Sequence, residues 1–523
     1  MKDPKIILNI LSKKKGKIDN LYRYLYIPEF YYAAYNNIHS KSGQMTPASD
    51  DSTIDGMPFD KITKLIEKLR DNTYNPTPLK RVNIPKKNGK LRPISIPSFE
   101  DKLVQEVIRT ILEAIYEPTF SKFSHGFRPN RSCHTALADM QDRFIGTKWW
   151  IDCDIKGCFD NINHQRLIQI LAERIKEQKF LNLINKFLKA GYIENWKYHK
   201  TFSGVPQGTI ISPILANIYL DKFDKYMESL INDFKKGKKR ETNKNTLALN
   251  IRCSCTAARI RKGIQVEKNK ERLKRQVKEK NEYAKIHGYY NNQDPNFRRL
   301  QYIRYADDFV IGIIASKKEA KDIETKIKDF LKDELILELN ADKTKLRHNS
   351  EKIIFLGYEI FVMKSDVKKV INGKIGLYMP YKVAINFIIN NKIGKWVQDK
   401  TTGKKKLKGI PRLEMVNDED LEILQAYNSQ IRGLYNYYCM ANNVSKLNGF
   451  GQISQDSFLR TLATKYKTKC AKLYKNKKYS KQIRNRTIVG ITYKDEFKEY
   501  FDGPFKCIKT GLKGNPNIDL KIN

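Results

Sequence analysis

The chain has 523 residues, room for about two to four domains, and its 99 Lys plus Arg against 57 Asp plus Glu give a formal charge of +42 and a pI near 9.7. An excess of cation on that scale points to a polyanion partner, phosphate backbones first, and away from a membrane surface. No run of about eighteen apolar residues spans a bilayer, and M-K-D-P-K-I-I-L-N-I-L-S-K-K-K lacks a signal peptide's long apolar stretch. The scattered cysteines, without zinc-finger spacing, read as reduced cytosolic thiols.

Residues 1 to about 75 read as helices, because Y-R-Y-L-Y-I-P-E-F-Y-Y-A-A-Y is too dense in aromatics for a linker. V-N-I-P-K-K-N-G-K-L-R-P-I-S-I-P follows as a hairpin with Asn88-Gly89 as its two-residue turn. Its lysines and Arg92 read either as an ordinary charged face or as a phosphate clamp, and strict two-residue pairing puts Lys87 on the face of Arg92. Helical patterning resumes at E-D-K-L-V-Q-E-V-I-R-T-I-L-E-A-I-Y. W-W-I-D-C-D-I then reads as a strand, and Asp160 as the start of the helix that follows it. Beyond V-P-Q-G-T-I-I-S-P-I-L-A-N-I-Y-L, Ser212 is placed to cap a helix opening on Pro213. Residues 231 to 299 are lysine-rich, poorly periodic at first and helical through E-K-N-K-E-R-L-K-R-Q-V-K-E-K; strands resume directly after them, which marks an insertion. From about 370 the pattern is helical and basic, interrupted by Q-D-K-T-T-G-K-K-K-L-K-G, and the last fifty or so residues are basic with weak periodicity.

The chemistry centres on Q-Y-I-R-Y-A-D-D-F-V-I-G-I-I, residues 301–314, which reads as strand, tight turn, strand, with Asp307 and Asp308 at the turn. Asp is a common turn residue, but a plain turn predicts Gly or Asn beside it and polar flanks. Here Phe309, Val310 and Ile311 follow at once. Like charges that close raise each other's pKa unless a cation neutralises them. Magnesium does so with oxygen ligands, waters and substrate phosphates. Asp152 and Asp154 share a face of their strand by parity, and Asp154, nearer the strand end, is the one presented. Three acids on two sheet segments of a basic protein describe a two-metal phosphoryl-transfer site.

Y-A-D-D, D-I-K-G-C-F-D-N-I, S-G-V-P-Q-G-T-I-I-S-P-I-L-A-N-I-Y-L and S-H-G-F-R-P-N-R-S-C-H-T-A-L, in a match running from about residue 20 to about residue 465, resemble the reverse transcriptases encoded by group II introns, of the lactococcal type. The resemblance implies an α+β right-hand polymerase with fingers, antiparallel palm and helical thumb. It places a helical extension of the fingers at 1–75, fingers and palm at 76–365 around the insertion at 231–299, a thumb or maturase domain at 366–465, and a basic DNA-binding region at 466–523. It further implies an RNA-directed DNA polymerase and maturase that binds a group II intron RNA, assists its splicing and copies it into DNA during retrohoming. Its partners would be that RNA, a DNA target and primer, and dNTPs, with no membrane, in a cytoplasmic ribonucleoprotein.

By the same resemblance Asp154, Asp307 and Asp308 hold two Mg2+ ions. Phe159, otherwise a core aromatic, lies beneath the incoming sugar; Gln207, otherwise part of an ordinary loop, lines the nucleotide pocket beside Gly208. Lys86 and Arg92 meet the triphosphate, and Lys343 in L-N-A-D-K-T-K-L is a further pocket lysine. F-L-G-Y-E-I steadies the primer end, or is a plain hairpin. In Y-N-S-Q-I-R-G-L-Y-N-Y-Y-C-M-A-N-N the stripe Tyr427, Ile431, Leu434, Tyr435 and Tyr438 reads as core. The line Asn428, Arg432 and Asn436 reads either as a satisfied interior network or, by resemblance to the maturase thumb, as an RNA contact. The family's C-terminal endonuclease, with paired cysteines and histidines, is not matched, since only Cys470 and Cys507 follow Cys439 and no histidine follows His348: either the natural protein lacks it or this chain is cut short, and second-strand cleavage of target DNA is not expected. Two rival readings are a splicing factor with a relic polymerase, which the intact acids and P-Q-G disfavour, and a retron or defence enzyme, which usually lacks this thumb helix.

Overall fold

In the computed structural model, residues 3–39, 43, 45–53, 59–85, 89, 91–291, 294–365, 371–399, 401, 403–483, 486–507 and 518 are described. They form two compact units, one of Met1–Pro129 with Thr147–His348, the other of Asn130–Gly146 with Asn349–Ser365 and Val370–Asn523. Helices and mainly antiparallel sheets are mixed in both, the α+β class expected. Among the described residues no helix is long and apolar enough to cross a membrane.

The aromatic-rich start of the first unit forms the helices Pro4–Lys13, Pro28–His39 and Phe59–Arg70, whose buried Leu11, Tyr31 and Leu69 join the main core. Helix Phe99–Tyr116 is buried along nearly all of its length, and Ser98 caps it by accepting the Asp101 N–H. Arg299–Tyr305, Asp308–Ile314, Trp149–Asp154 and Lys345–His348 make a four-stranded antiparallel sheet in that order. Ile151, Phe309, Ile311 and Ile313 on it are fully buried with Phe223 of helix Ser212–Phe234 and Ile327 and Leu331 of helix Lys317–Leu335. A core of this kind fixes register, because a slip of one residue would turn every apolar side chain to the wrong face.

A second sheet runs Leu91–Ile96, Leu79–Pro85, Tyr192–Glu194, Lys197–His199. Ile84 stands opposite Arg92 and Pro85 opposite Leu91. Strict two-residue pairing across Asn88-Gly89, which would set Arg92 against Pro85, is therefore not the register formed. Lys86, Lys87 and Asn88 lie outside the described residues. The insertion folds as two helices, Lys244–Arg261 and Val266–His287, and bridges Lys236 to Arg298 and Thr242 to Tyr290 at its base.

Two expected caps are not formed. Ser212 is itself the first helical residue and its hydroxyl donates to the Pro206 carbonyl (2.7 Å), which ties the P-Q-G loop to the helix instead of closing the helix end. Asp160 lies inside the short helix Cys158–Asn161, and Asn163 caps the next one, His164–Ala172.

In the second unit Q-D-K-T-T-G-K-K-K-L-K-G belongs largely to a hairpin, Gly394–Gln398 with Lys405–Gly409. F-L-G-Y-E-I is a hairpin turned at Leu356 (φ 48°) and Gly357 (φ 73°), whose carbonyls accept the Tyr437 and Tyr438 hydroxyls at 2.9 and 3.2 Å. Helices Asp420–Tyr438 and Leu447–Lys465 share a core through Ile431, Tyr427 and Phe458. The weakly periodic end forms a three-stranded sheet over Ser480–Ile483, Arg486–Tyr493 and Glu496–Glu499.

Candidate active site

The turn that carries the adjacent acids is two residues long. Tyr305 pairs with Asp308, so Ala306 and Asp307 reverse the chain, and Ala306 takes φ 56°. A side chain in that region costs about 1–2 kcal/mol, so something must hold the turn. Arg304, buried in the strand before it, does. Its Nη1 donates to the Ala306 carbonyl (2.9 Å), while Nε and Nη2 grip the two Asp224 carboxylate oxygens at 2.8 and 2.5 Å. Burial works against the Arg304 charge, and Asp224 outweighs it. The Tyr302 hydroxyl donates to the same carboxylate (2.7 Å). Asn217, on the helix that carries Asp224, accepts from Arg304 Nη1 (3.2 Å) and donates to the Gly126 carbonyl (2.9 Å). Gly126 closes the ring: a Cβ there would lie 2.5 Å from the Ala306 nitrogen.

Across the sheet Asp154 stands opposite Asp308. Desolvation of its carboxyl, then the charges of Asp307 and Asp154, push Asp308 up to about 7 although the residue as a whole is exposed, the mark of an excess of negative charge. Burial, with Asp154 adding to it, pushes Asp307 up as well, while the Arg92 charge works the other way. Lys343 donates to Asp154 Oδ2 at 2.8 Å, and that hydrogen bond raises its own pKa. Asn340 adds its amide to the same oxygen (3.3 Å) and its N–H to the Asp154 carbonyl (2.8 Å). Asp152, two residues back, is pushed up to about 6 by burial.

Three carboxylates carrying more charge than one ammonium offsets are, as donors, what a divalent cation takes. Among the described residues no three or more acids, histidines or cysteines are gathered into a finished ion cage. The cation paired with Asp154 is Lys343, whose side chain is 63% exposed. In donor chemistry, though not in their present spacing, the three carboxylates suit a divalent ion.

The other expected residues border this cluster. Phe159 is half-buried, meets the Phe127 ring edge-on at 6.5 Å, and gives its carbonyl to the Val205 N–H (2.6 Å). Gln207 donates its amide to Asp160 at 3.4–3.5 Å, and its carbonyl accepts the Ser95 N–H (2.7 Å), which stitches the P-Q-G loop to the strand bearing Arg92. Gly208, at φ 104°, permits that approach: a Cβ would sit 2.7 Å from the Ser95 carbonyl oxygen. Asn428, Arg432 and Asn436 belong to the second unit, where the interior-network reading holds in part. The Asn428 amide donates to the Glu499 carbonyl (2.9 Å) and accepts the Phe501 N–H (2.7 Å), and exposed Arg432 lies over the Phe501 ring at 4.9 Å. Sequence reasoning missed Arg304, Asp224, Asn217 and Asn340. One signal was on the page: an arginine at the third position before Asp307, within an otherwise apolar and aromatic strand.

The family model for reverse transcriptase (RNA-dependent DNA polymerase) matches residues 84–242 and 272–360, and that for type II intron maturase matches 372–508. The chain is 42% identical over 482 residues to the group II intron-encoded protein LtrA of Lactococcus lactis subsp. cremoris, an alignment covering 89% of this chain and 79% of that protein. It is 35% identical over 455 residues to the putative COX1/OXI3 intron 2 protein of Saccharomyces cerevisiae, covering 84% and 51%. It is 31% identical over 357 residues to the protein YkfC of Escherichia coli strain K12, covering 67% and 84%.

Proposed function

The chain belongs to the group II intron-encoded reverse transcriptases and maturases, and from that membership we propose how this RNA-directed DNA polymerase works and on what. The family binds intron RNA, combines copying with a maturase role in splicing, has a right-hand polymerase fold and generally uses divalent metals. Our reading is that the protein holds a group II intron RNA in a cytoplasmic ribonucleoprotein, assists its splicing, and copies it into DNA from a primer at a DNA target during retrohoming. Fingers and palm occupy 76–365 after the helical extension at 1–75, the thumb or maturase domain 366–465, and the DNA-binding region 466–523. In the second unit, exposed Arg432 is the best placed of the helix's polar line to meet RNA phosphate, with Asn436 a turn further on.

The observation that carries the polymerase reading is Asp154 set opposite Asp308 in the sheet register, with Asp307 in the adjoining turn. Two magnesium ions on these three carboxylates would supply a Lewis acid for the primer 3′-hydroxyl and neutralise the triphosphate. The protein's own part is positional. Arg304 fixes the turn that aims Asp307 and Asp308. Lys343 holds the Asp154 carboxyl in place until substrate arrives, then turns its ammonium to phosphate oxygens. Arg92 answers the triphosphate from the fingers strand, with Lys86 assigned there by the family pattern. Gln207 holds the nucleotide against the P-Q-G loop, and the Phe159 ring occupies the space a ribose 2′-hydroxyl would need.

Asp154→Ala and Asp307→Ala should abolish primer extension, with a loss well beyond about a hundredfold (about 2.7 kcal/mol), while RNA binding stays near wild type. Extension at near-wild-type rate by either variant would overturn the assignment.

A further inference from the structure

A two-residue turn joins the strands Tyr192–Glu194 and Lys197–His199, with Glu194 paired to Lys197. Asn195 and Trp196 therefore both take positive φ, 49° and 63°. Turns of this kind prefer Asn followed by Gly, because the second residue carries its side chain into the left-handed region. Here that residue is tryptophan, and its side chain is 100% exposed. Folding gains nothing from such a ring: no burial offsets the backbone strain or the solvated indole. A bulky aromatic held at conformational cost in open solvent marks a surface that meets something.

What it meets follows from its surroundings. The stretch W-K-Y-H-K-T-F alternates rings with cations: Lys197 and Lys200 are exposed, as are Tyr198 (52%) and Phe202 (84%). Behind the tip the strands are stiffened by a ladder in which the Arg81 guanidinium lies 3.4 Å over the Tyr192 ring, and Tyr192 stacks on His199 at 5.0 Å. The same sheet carries Arg92 and is hydrogen-bonded to Gln207 through Ser95. Rings interleaved with lysines on a rigid support are what unpaired bases and their phosphates fit: each base stacks whatever its identity, and the cations follow the backbone.

We propose that Trp196, with Phe202 six residues on, is a stacking platform for unpaired bases of the RNA template ahead of the copied duplex. This rests on the polymerase reading above and adds to it a residue outside the nucleotide pocket.

The test uses the full chain, a primer–template with a 5′ overhang of unpaired RNA, and a blunt duplex of the same sequence, at one salt concentration. Trp196→Gly removes the ring and relieves the strain, so its thermal unfolding should match or exceed wild type. Its affinity for the overhang substrate should fall at least about fivefold, with blunt-duplex affinity unchanged, and Trp196→Phe should restore most of the loss. Trp196→Asn, which tolerates the same backbone region, stands in should the glycine variant fold poorly. Unchanged overhang affinity in the stable variant would overturn the proposal and leave the ring to a protein partner; an equal loss on both substrates would overturn it too. Failure of the wild-type chain to extend any primer would instead sink the polymerase reading, which the binding comparison does not measure.

Discussion

Arg304→Met and Asp224→Leu, singly and together, separate what the buried pair does for the fold from what it does for the turn. The two side chains are 1% and 0% exposed. Removing the guanidinium leaves a buried carboxylate with the Tyr302 hydroxyl, and removing the carboxylate leaves a buried guanidinium with the Ala306 and Asn217 oxygens. Each single change should cost about 3–5 kcal/mol of stability, the usual result of stranding one member of a buried ion pair. The double variant strands no charge. It loses hydrogen bonds at Tyr302 and Ala306, and should cost about 2–4 kcal/mol in all. The double-mutant cycle in urea unfolding should therefore show a coupling of about 5 kcal/mol. Stability recovered in this way does not restore the Ala306 anchor, and displacement of catalytic groups by about an ångström costs about a hundredfold in rate. Single-turnover primer extension by the double variant should stay about a hundredfold slow although the protein folds. Additive stability costs, or extension at wild-type rate by the double variant, would refute the reasoning.

Gly126→Ala drives a Cβ to 2.5 Å from the Ala306 nitrogen and 3.1 Å from the Tyr305 carbonyl carbon, backbone atoms with little room to yield. Unfolding should show a loss of about 1–3 kcal/mol, and extension kinetics a lower kcat with the KM for dNTP nearly unchanged. Phe159→Val should admit ribonucleotides at least about tenfold more readily, a modest size for the loss of one steric contact; competition between ATP and dATP for a templated position measures it. Asp101 tests the pH dependence of folding. Burial pushes its carboxyl up from 3.8 to about 6, against hydrogen bonds from the Tyr74 hydroxyl and the Thr77 N–H. The folded state thus holds that proton more tightly than the unfolded chain. The contribution to stability is full below 3.8 and is lost as pH rises through 6, about 3 kcal/mol in total. Asp101→Asn should remove about that much from the difference between urea stabilities at pH 4 and pH 7.5; an unchanged difference would contradict the assignment.

The acids were legible because they interrupt a strand pattern that is otherwise β-branched and aromatic, and because parity alone set Asp154 on a face with Asp152. What holds them was not. Arg304 meets Asp224 across 80 residues of chain, and no local periodicity encodes a pairing at that range. Helix Lys244–Arg261 escaped notice for a different reason. The positions it buries, Thr246, Leu249, Cys253 and Thr256, follow helical spacing, but most are small or polar, so a pattern of apolar residues cannot show them. The Asn88-Gly89 signal named the hairpin of the two flanking strands and gave its register wrongly, since the sheet pairs Pro85 with Leu91 and leaves more than two residues between the strands. The helix bearing Asn428 shows where such reading ends. A polar line at every fourth residue states that a face is not core, yet the same amide groups satisfy RNA or the protein's own backbone equally well. Only the position of Glu499 and Phe501, some seventy residues on, shows that Asn428 is occupied by the chain itself while Arg432 still faces solvent. A polar face read from sequence therefore names the chemistry of a contact before it names the partner.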